Sequence, residues 1–208
     1  VPFAVAQLIF APRSAAMVKR FGPKATSTAG LLLVAAGLAT WMFIGESTPI
    51  WIVGASFFVM GAGMANVMPP ATEAIMAALP REKAGVGSAV SNTIRQLGGA
   101  LGVAVLGAVL SSAYRSHLGA VADALPAAAQ EAARESISGA YGVAEQAGNT
   151  ALIQAANDAY VTAMHYASIG TTVFALLGAL VAVLWLPGKR PAGEAAPTAE
   201  PAAALVDA

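Results

Sequence analysis

The chain has 208 residues, of which 57% are hydrophobic and 11% charged, against about 25% charged in an ordinary soluble domain, so its composition is that of a membrane protein. Its formal net charge is zero, which removes the bulk electrostatic argument for a nucleic-acid or strongly acidic partner. It contains no cysteine, which excludes disulfides, thiolate catalysis and cysteine-based zinc sites.

Residues 1–18 are apolar apart from Gln7, Arg13 and Ser14, and they read as a spanning helix that the chain enters part-way, with no basic n-region before it. A fragment of a longer protein is therefore expected. Pro2 and Pro12 are tolerable where neighbouring helices cover the freed backbone groups, and Arg13 is close enough to the segment's end to snorkel to the interface. The stretch KRFGPK, 19–24, is a basic turn punctuated by Gly and Pro. Segment 26–45 has the length a membrane helix needs, and Trp41 sits near its far end, where an interfacial indole belongs.

A third span is predicted over 50–79, kinked at Pro69 and Pro70. Asn66, Pro70, Glu73 and Ala77 share one of its faces, which places a carboxylate on a polar stripe beside a helix break. After the PREK turn at 80–83, segment 84–114 is long enough to span, yet carries Asn92, Arg95 and Gln96 in its first half. At about 100° per residue, Ser88, Asn92, Arg95, Gly99 and Gly102 fall on one stripe and Val90, Ile94, Leu97 and Leu101 on the opposite one. The apolar stripe suits lipid. The polar stripe suits a protein interior or a watery cavity, because a charge facing hydrocarbon costs about 2.5 kcal/mol or more. Gly98, Gly99 and Gly102, with alanines between them, offer a small-residue surface for close helix packing, and Gly61 and Ala65 read the same way.

Residues 115–158 are Ala-rich, charged and broken by Gly, so they read as a loop outside the membrane, with Pro126 in the first turn of a surface helix and Asn149 as the N-cap of a helix running into the next span. The last span is predicted over 159–187, with Trp185 at its end. His165 reads as an interfacial residue, a proton relay with Asp158 and Thr162 being the sharper alternative. The Pro/Ala-rich tail at 188–208 has too little apolar bulk to fold and is expected to be disordered. If the helices alternate, Lys19, Arg20, Lys24, Arg81, Lys83, Lys189 and Arg190 lie on one side, and only Arg115 and Arg134 on the other. The basic turns and the C-terminus are then cytoplasmic and the Ala-rich loop extracytoplasmic. The sum is an all-α integral membrane protein with about five transmembrane helices.

Glu73 and Arg95 flank the PREK turn at similar depths, so they either form an ion pair that holds two helices together or line a substrate or proton site. Asn66, Asn92 and Gln96 join them as candidate cavity residues. The sequence carries no metal-ligand cluster, nucleophile triad or paired catalytic carboxylates, and its Gly-rich segment lacks the Lys of a phosphate loop, so neither enzyme chemistry nor a cofactor is expected.

Two stretches carry a family resemblance. The segment NTIRQLGGALGVA, 92–104, resembles the penultimate helix of the fourteen-helix drug:proton antiporter branch (EmrB/QacA type) of the major facilitator superfamily. The superfamily's helix-linking motif, G-x-L-A-D-R-x-G-R-K, falls on 15–24 and matches at Arg20, Gly22 and Lys24, while Ala15 replaces its Gly, Lys19 its Asp and Pro23 its Arg. The resemblance covers about residues 1–187 and implies part of the C-terminal helical bundle of a major facilitator fold in the plasma membrane. It also implies alternating access against a missing N-terminal half, and export of amphipathic or cationic small molecules in exchange for protons. Two other readings stay open: an uptake carrier using Arg95 as an anion ligand, and a non-transporting membrane scaffold assembled through its small-residue faces.

Overall fold

The computed structural model describes residues 1–45, 47–77, 80 and 83–186. The tail at 188–208 and part of the PREK turn lie outside the described residues. Among the described residues seven α-helices follow one another: α1 Pro2–Phe21, α2 Pro23–Thr40, α3 Ile50–Ala77, α4 Ala84–Asp123, α5 Ala127–Glu135, α6 Ile137–Ala147 and α7 Thr150–Trp185, with a short 3-10 turn at Trp41–Phe43.

Local chemistry sets most of the boundaries. Gly22 alone separates α1 from α2, at φ 88°, and its N–H still bonds Val18 O at 2.8 Å. A side chain there would be strained. Pro23 then opens α2 at a position where a helix needs no N–H donor. The chain turns between α2 and α3 through Gly45 and Thr48, with Gly45 N–H donating to Thr48 Oγ1 at 2.8 Å. As the sequence leads one to expect, Pro126 stands at the start of α5 and the Asn149 side chain accepts the Leu152 N–H at 3.1 Å. Ser136 caps α6 in the same way, and Gly148 ends it at φ 62°.

Among the described residues, four helices are long and apolar enough to cross a membrane: Pro23–Phe43, Ile50–Glu73, Ala84–Gly119 and Thr150–Trp185. The polar insertions of α1, Gln7, Arg13 and Ser14, and its basic end at Lys19 and Arg20 set it apart from these. The boundaries differ from the sequence expectation most at the Ala-rich segment. There α4 continues to Asp123 across a kink at Gly119, so 115–123 extends the preceding helix, while α7 begins at Thr150, next to the expected Asn149 cap, and runs without interruption into the last span. Alanine is the best helix former, which favours that extension once α5 and α6 give the two helices something to pack against.

The long helices pack in the order α1, α3, α2, α7, α4. Contacts between α2 and α3 are close because glycine meets backbone: a Cβ on Gly37 would stand 3.1 Å from Ser56 O, and one on Gly30 would stand 2.7 Å from Gly63 O. Gly61 similarly backs onto Phe3 and Ala6 of α1, as the small-residue pattern around it suggests. A second core lies at the far end of the molecule. There α5 and α6 form a hairpin whose Ala133, Ala140 and Ala144 bury against Tyr114 and Leu118 of α4 and Leu152 and Ala156 of α7.

Candidate functional site: the polar groove between α3 and α4

Among the described residues, α3 and α4 touch little. Between them an open groove of about 410 Å³ is lined by Thr72 of α3 and by Gly85, Ser88, Ala89, Ser91, Asn92 and Arg95 of α4. The helical period explains the lining: Ser88, Asn92 and Arg95 occupy one stripe, and the groove follows it. Among the described residues that line it, Arg95 is the one that carries a charge.

The candidate residues separate into three places. Asn92 and Arg95 lie in the groove, and Gln96, next along α4, is exposed outside it. Glu73 is also exposed, next to the groove residue Thr72, whose hydroxyl is held by Met68 O at 3.0 Å. Asn66, by contrast, is 3% exposed, and its amide nitrogen donates to Ala62 O at 2.8 Å. It shares a helical face with Glu73 but not an environment. The reason is register: Gly30 of α2 backs onto Gly63, Asn66 and Val67, and α2 begins only two turns earlier at Pro23, so α3 outruns its neighbour before it reaches Glu73. Among the described residues the one ion pair is Arg134–Asp123, 2.6 Å, in the hairpin. Glu73 and Arg95 make no such contact.

The glycines on α4 face open space. A Cβ on Gly98, Gly99 or Gly102 would meet nothing within 4 Å. Only 6% of the most apolar stretch of this helix is buried, against 33% for α3, and Val90, Ile94, Leu97 and Leu101 on the opposite stripe are exposed too. Among the described residues, then, nothing covers either stripe of the first half of α4.

In the motif-like loop, Gly22 is the residue whose identity the backbone requires. The Gly22 carbonyl accepts from both the amide and the hydroxyl of Thr26, at 3.2 and 2.9 Å. The Arg20 guanidinium lies 5.2 Å from the centre of the Phe21 ring, a cation–π geometry. Lys24 borders a shallow surface pocket with Phe21, Thr28 and Val183. His165 Nε2 is 2.7 Å from Ile44 O, which ties α7 to the segment that follows the 3-10 turn. Arg13 turns back to Ile9 O at 2.7 Å.

Thr72 and Ser91 were not singled out by the sequence reading. Both are small hydroxyl residues near a charged or amide neighbour in otherwise apolar helices, and that is the signal by which they could have been found.

A row of spanning helices with one polar, charge-bearing stripe left open defines a multi-pass α-helical membrane protein. The chain matches the Major Facilitator Superfamily over residues 1–207 and belongs to it. That superfamily is one of membrane transporters and not of enzymes. It is 33% identical to the multidrug efflux pump LfrA of Mycolicibacterium smegmatis over 69% of this chain and 28% of that protein. It is 34% identical to the tetracenomycin C resistance and export protein of Streptomyces glaucescens over 54% of this chain and 21% of that protein. It is 31% identical to the methyl viologen resistance protein SmvA of Salmonella typhimurium over 77% of this chain and 33% of that protein. The chain thus spans from about a fifth to a third of the length of these relatives.

Proposed function

We propose that the chain is the C-terminal part of a proton-coupled efflux transporter of the fourteen-helix drug:proton antiporter branch, exporting amphipathic or cationic compounds across the plasma membrane by alternating access. The observation that carries this reading is the uncovered polar stripe of α4, where Ser88, Asn92 and Arg95 form a groove with Thr72. An intramembrane arginine is stable only where protein or water faces it, so the stripe belongs against the remainder of the transporter or its central cavity. The efflux and resistance proteins to which the chain is similar support the direction of transport. The basic residues of the short turns support a cytoplasmic Gly22 turn and C-terminus.

In this reading Glu73 handles the coupling proton. It is the one acidic residue of α3, and it stands clear of α2, one residue from the groove. Asn92 and Arg95 border the cavity with Gln96 beside them on α4, and Asn66 serves the packed interior of α3. The test is transport by the reconstituted full-length protein under an imposed pH gradient. Glu73→Gln should abolish proton-driven efflux while substrate binding and folded yield persist; undiminished proton-driven efflux would exclude Glu73 from coupling.

A further inference from the structure

The seam between α2 and α7 holds a shallow cleft of about 410 Å³, lined by Phe21 at the end of α1, by Lys24, Ala25, Thr28 and Leu32 of α2 and by Val183 of α7. Three contacts give the register of the two helices: His165 Nε2 reaches Ile44 O, Gly178 lies against Leu31, and Val183 shares the cleft with Lys24 and Thr28. The helices are therefore antiparallel, and the cleft sits where α2 begins and α7 ends. Both are spanning candidates, Pro23–Phe43 and Thr150–Trp185. Their ends fall at the level of the lipid headgroups, where the exposed indole of Trp185 also belongs.

The mouth of the cleft is cationic and lacks a counter-charge. Residues 1–45 contain no Asp or Glu, and among the described residues Lys24 has no carboxylate partner. Lys24 stands in the first turn of α2, which holds no acid, and there the helix dipole favours an anion over a cation. Lys19 and Arg20 close α1 just before Gly22, and the Arg20 guanidinium lies 5.2 Å from the centre of the Phe21 ring that lines the cleft. The sequence after α7 continues with two more cations, Lys189 and Arg190.

Below the mouth the walls are apolar. Helical spacing puts Ala25, Ala29, Leu32 and Ala36 on one stripe of α2, and Val173, Leu176, Leu180 and Val183 on one stripe of α7. All eight are exposed, and Leu32 lies about 12 Å deeper than Lys24.

We propose that this cleft binds an anionic phospholipid, with its phosphate on Lys24 beside Arg20 and one acyl chain along the α2–α7 seam over Leu32 and Val183. A free phosphate would meet the charges and leave the apolar walls bare, and a neutral lipid would do the reverse. The site requires only that α2 and α7 stand in a bilayer, and it does not depend on the substrate, coupling or direction of transport.

The experiment is thermal unfolding of the purified full-length protein in detergent, titrated with phosphatidylglycerol, phosphatidylcholine or water-soluble glycerophosphate. Phosphatidylglycerol should raise Tm at lower concentration than phosphatidylcholine, and glycerophosphate should leave it unchanged. Lys24→Gln should raise the half-effective phosphatidylglycerol concentration about fivefold, as loss of one basic contact to an anionic lipid implies. Lys24→Arg should keep the wild-type response, as should Lys83→Gln on the other basic turn. Equal responses to the two lipids, an unchanged response in Lys24→Gln, or an equal loss in Lys83→Gln would overturn the proposal. A rise with glycerophosphate equal to that with phosphatidylglycerol would assign the cleft to a free anion and overturn it too. A second readout needs no variant: phosphatidylglycerol with a photoreactive acyl chain, in reconstituted membranes, should label the protein chiefly around Leu32 and Val183, and unlabelled phosphatidylglycerol should compete. Labelling spread evenly over the exposed apolar faces would mean that no site exists there.

Discussion

The carbonyl oxygen of Gly30 stands 2.5 Å from where a Cβ on Gly63 would lie. Backbone meets backbone there, so α2 and α3 cannot accept a side chain at Gly63 without moving apart. Gly98 on α4 is the opposite case, with nothing within 4 Å. Gly63→Val should therefore lower the monodisperse folded yield of this chain and of the full-length protein alike, an overpacking penalty of about 1–3 kcal/mol. Gly98→Leu should be tolerated by this chain expressed alone and should lower the yield only where further helices of the superfamily bundle cover α4. A loss in the chain alone would show that the face is not open.

The hairpin core should matter more than the hairpin's charges. Leu118 is 1% exposed and packs where α4 meets α5, α6 and α7, and Leu→Ala at such a site costs about 2–5 kcal/mol. The Asp123–Arg134 pair has side-chain exposures of 59% and 39%, and an exposed pair of this kind contributes about 1 kcal/mol or less. Leu118→Ala should therefore open α5 and α6 to proteolysis within 119–147, while Asp123→Asn leaves the digestion pattern close to wild type. Equal sensitivity of the two variants would mean that charge holds the hairpin.

Topology can be read with single cysteines, since the chain has none of its own. Ala25, beside the Gly22 turn, and Ala128, on α5, are both exposed. A cysteine at Ala25 should react with an impermeant thiol reagent only from the cytoplasmic side, and one at Ala128 only from the other. Reaction of the Ala128 cysteine from the cytoplasm would invert the orientation.

Glu73 and Arg95 make no ion pair in this structure, and each is exposed within the chain. If they act separately, Arg95→Gln should not restore proton-driven transport to Glu73→Gln, and their effects on stability should add. A pair that forms during the transport cycle would behave otherwise, because neutralising both partners relieves the charge that a single change leaves buried. Near wild-type transport by the double variant would assign the two residues to each other.

Helical period and composition determine a good deal of this protein by themselves. The apolar lengths mark the spanning helices, Gly22 with Pro23 marks a turn that only glycine can make, and Asn149 marks the start of α7. The angle of about 100° per residue also puts Ser88, Asn92 and Arg95 on one stripe, because which residues share a face is a local property. What a face meets is not local. Asn66 and Glu73 lie on the same side of α3, yet one is buried against α2 and the other is free, since α2 starts too late to cover both. Likewise Gly30 and Gly63 make the tight helix contact, while the more conspicuous glycines of α4 touch nothing within the chain. Such outcomes depend on the offset and direction of one helix against another, which arise from contacts between residues far apart in sequence and have no period along the chain to betray them.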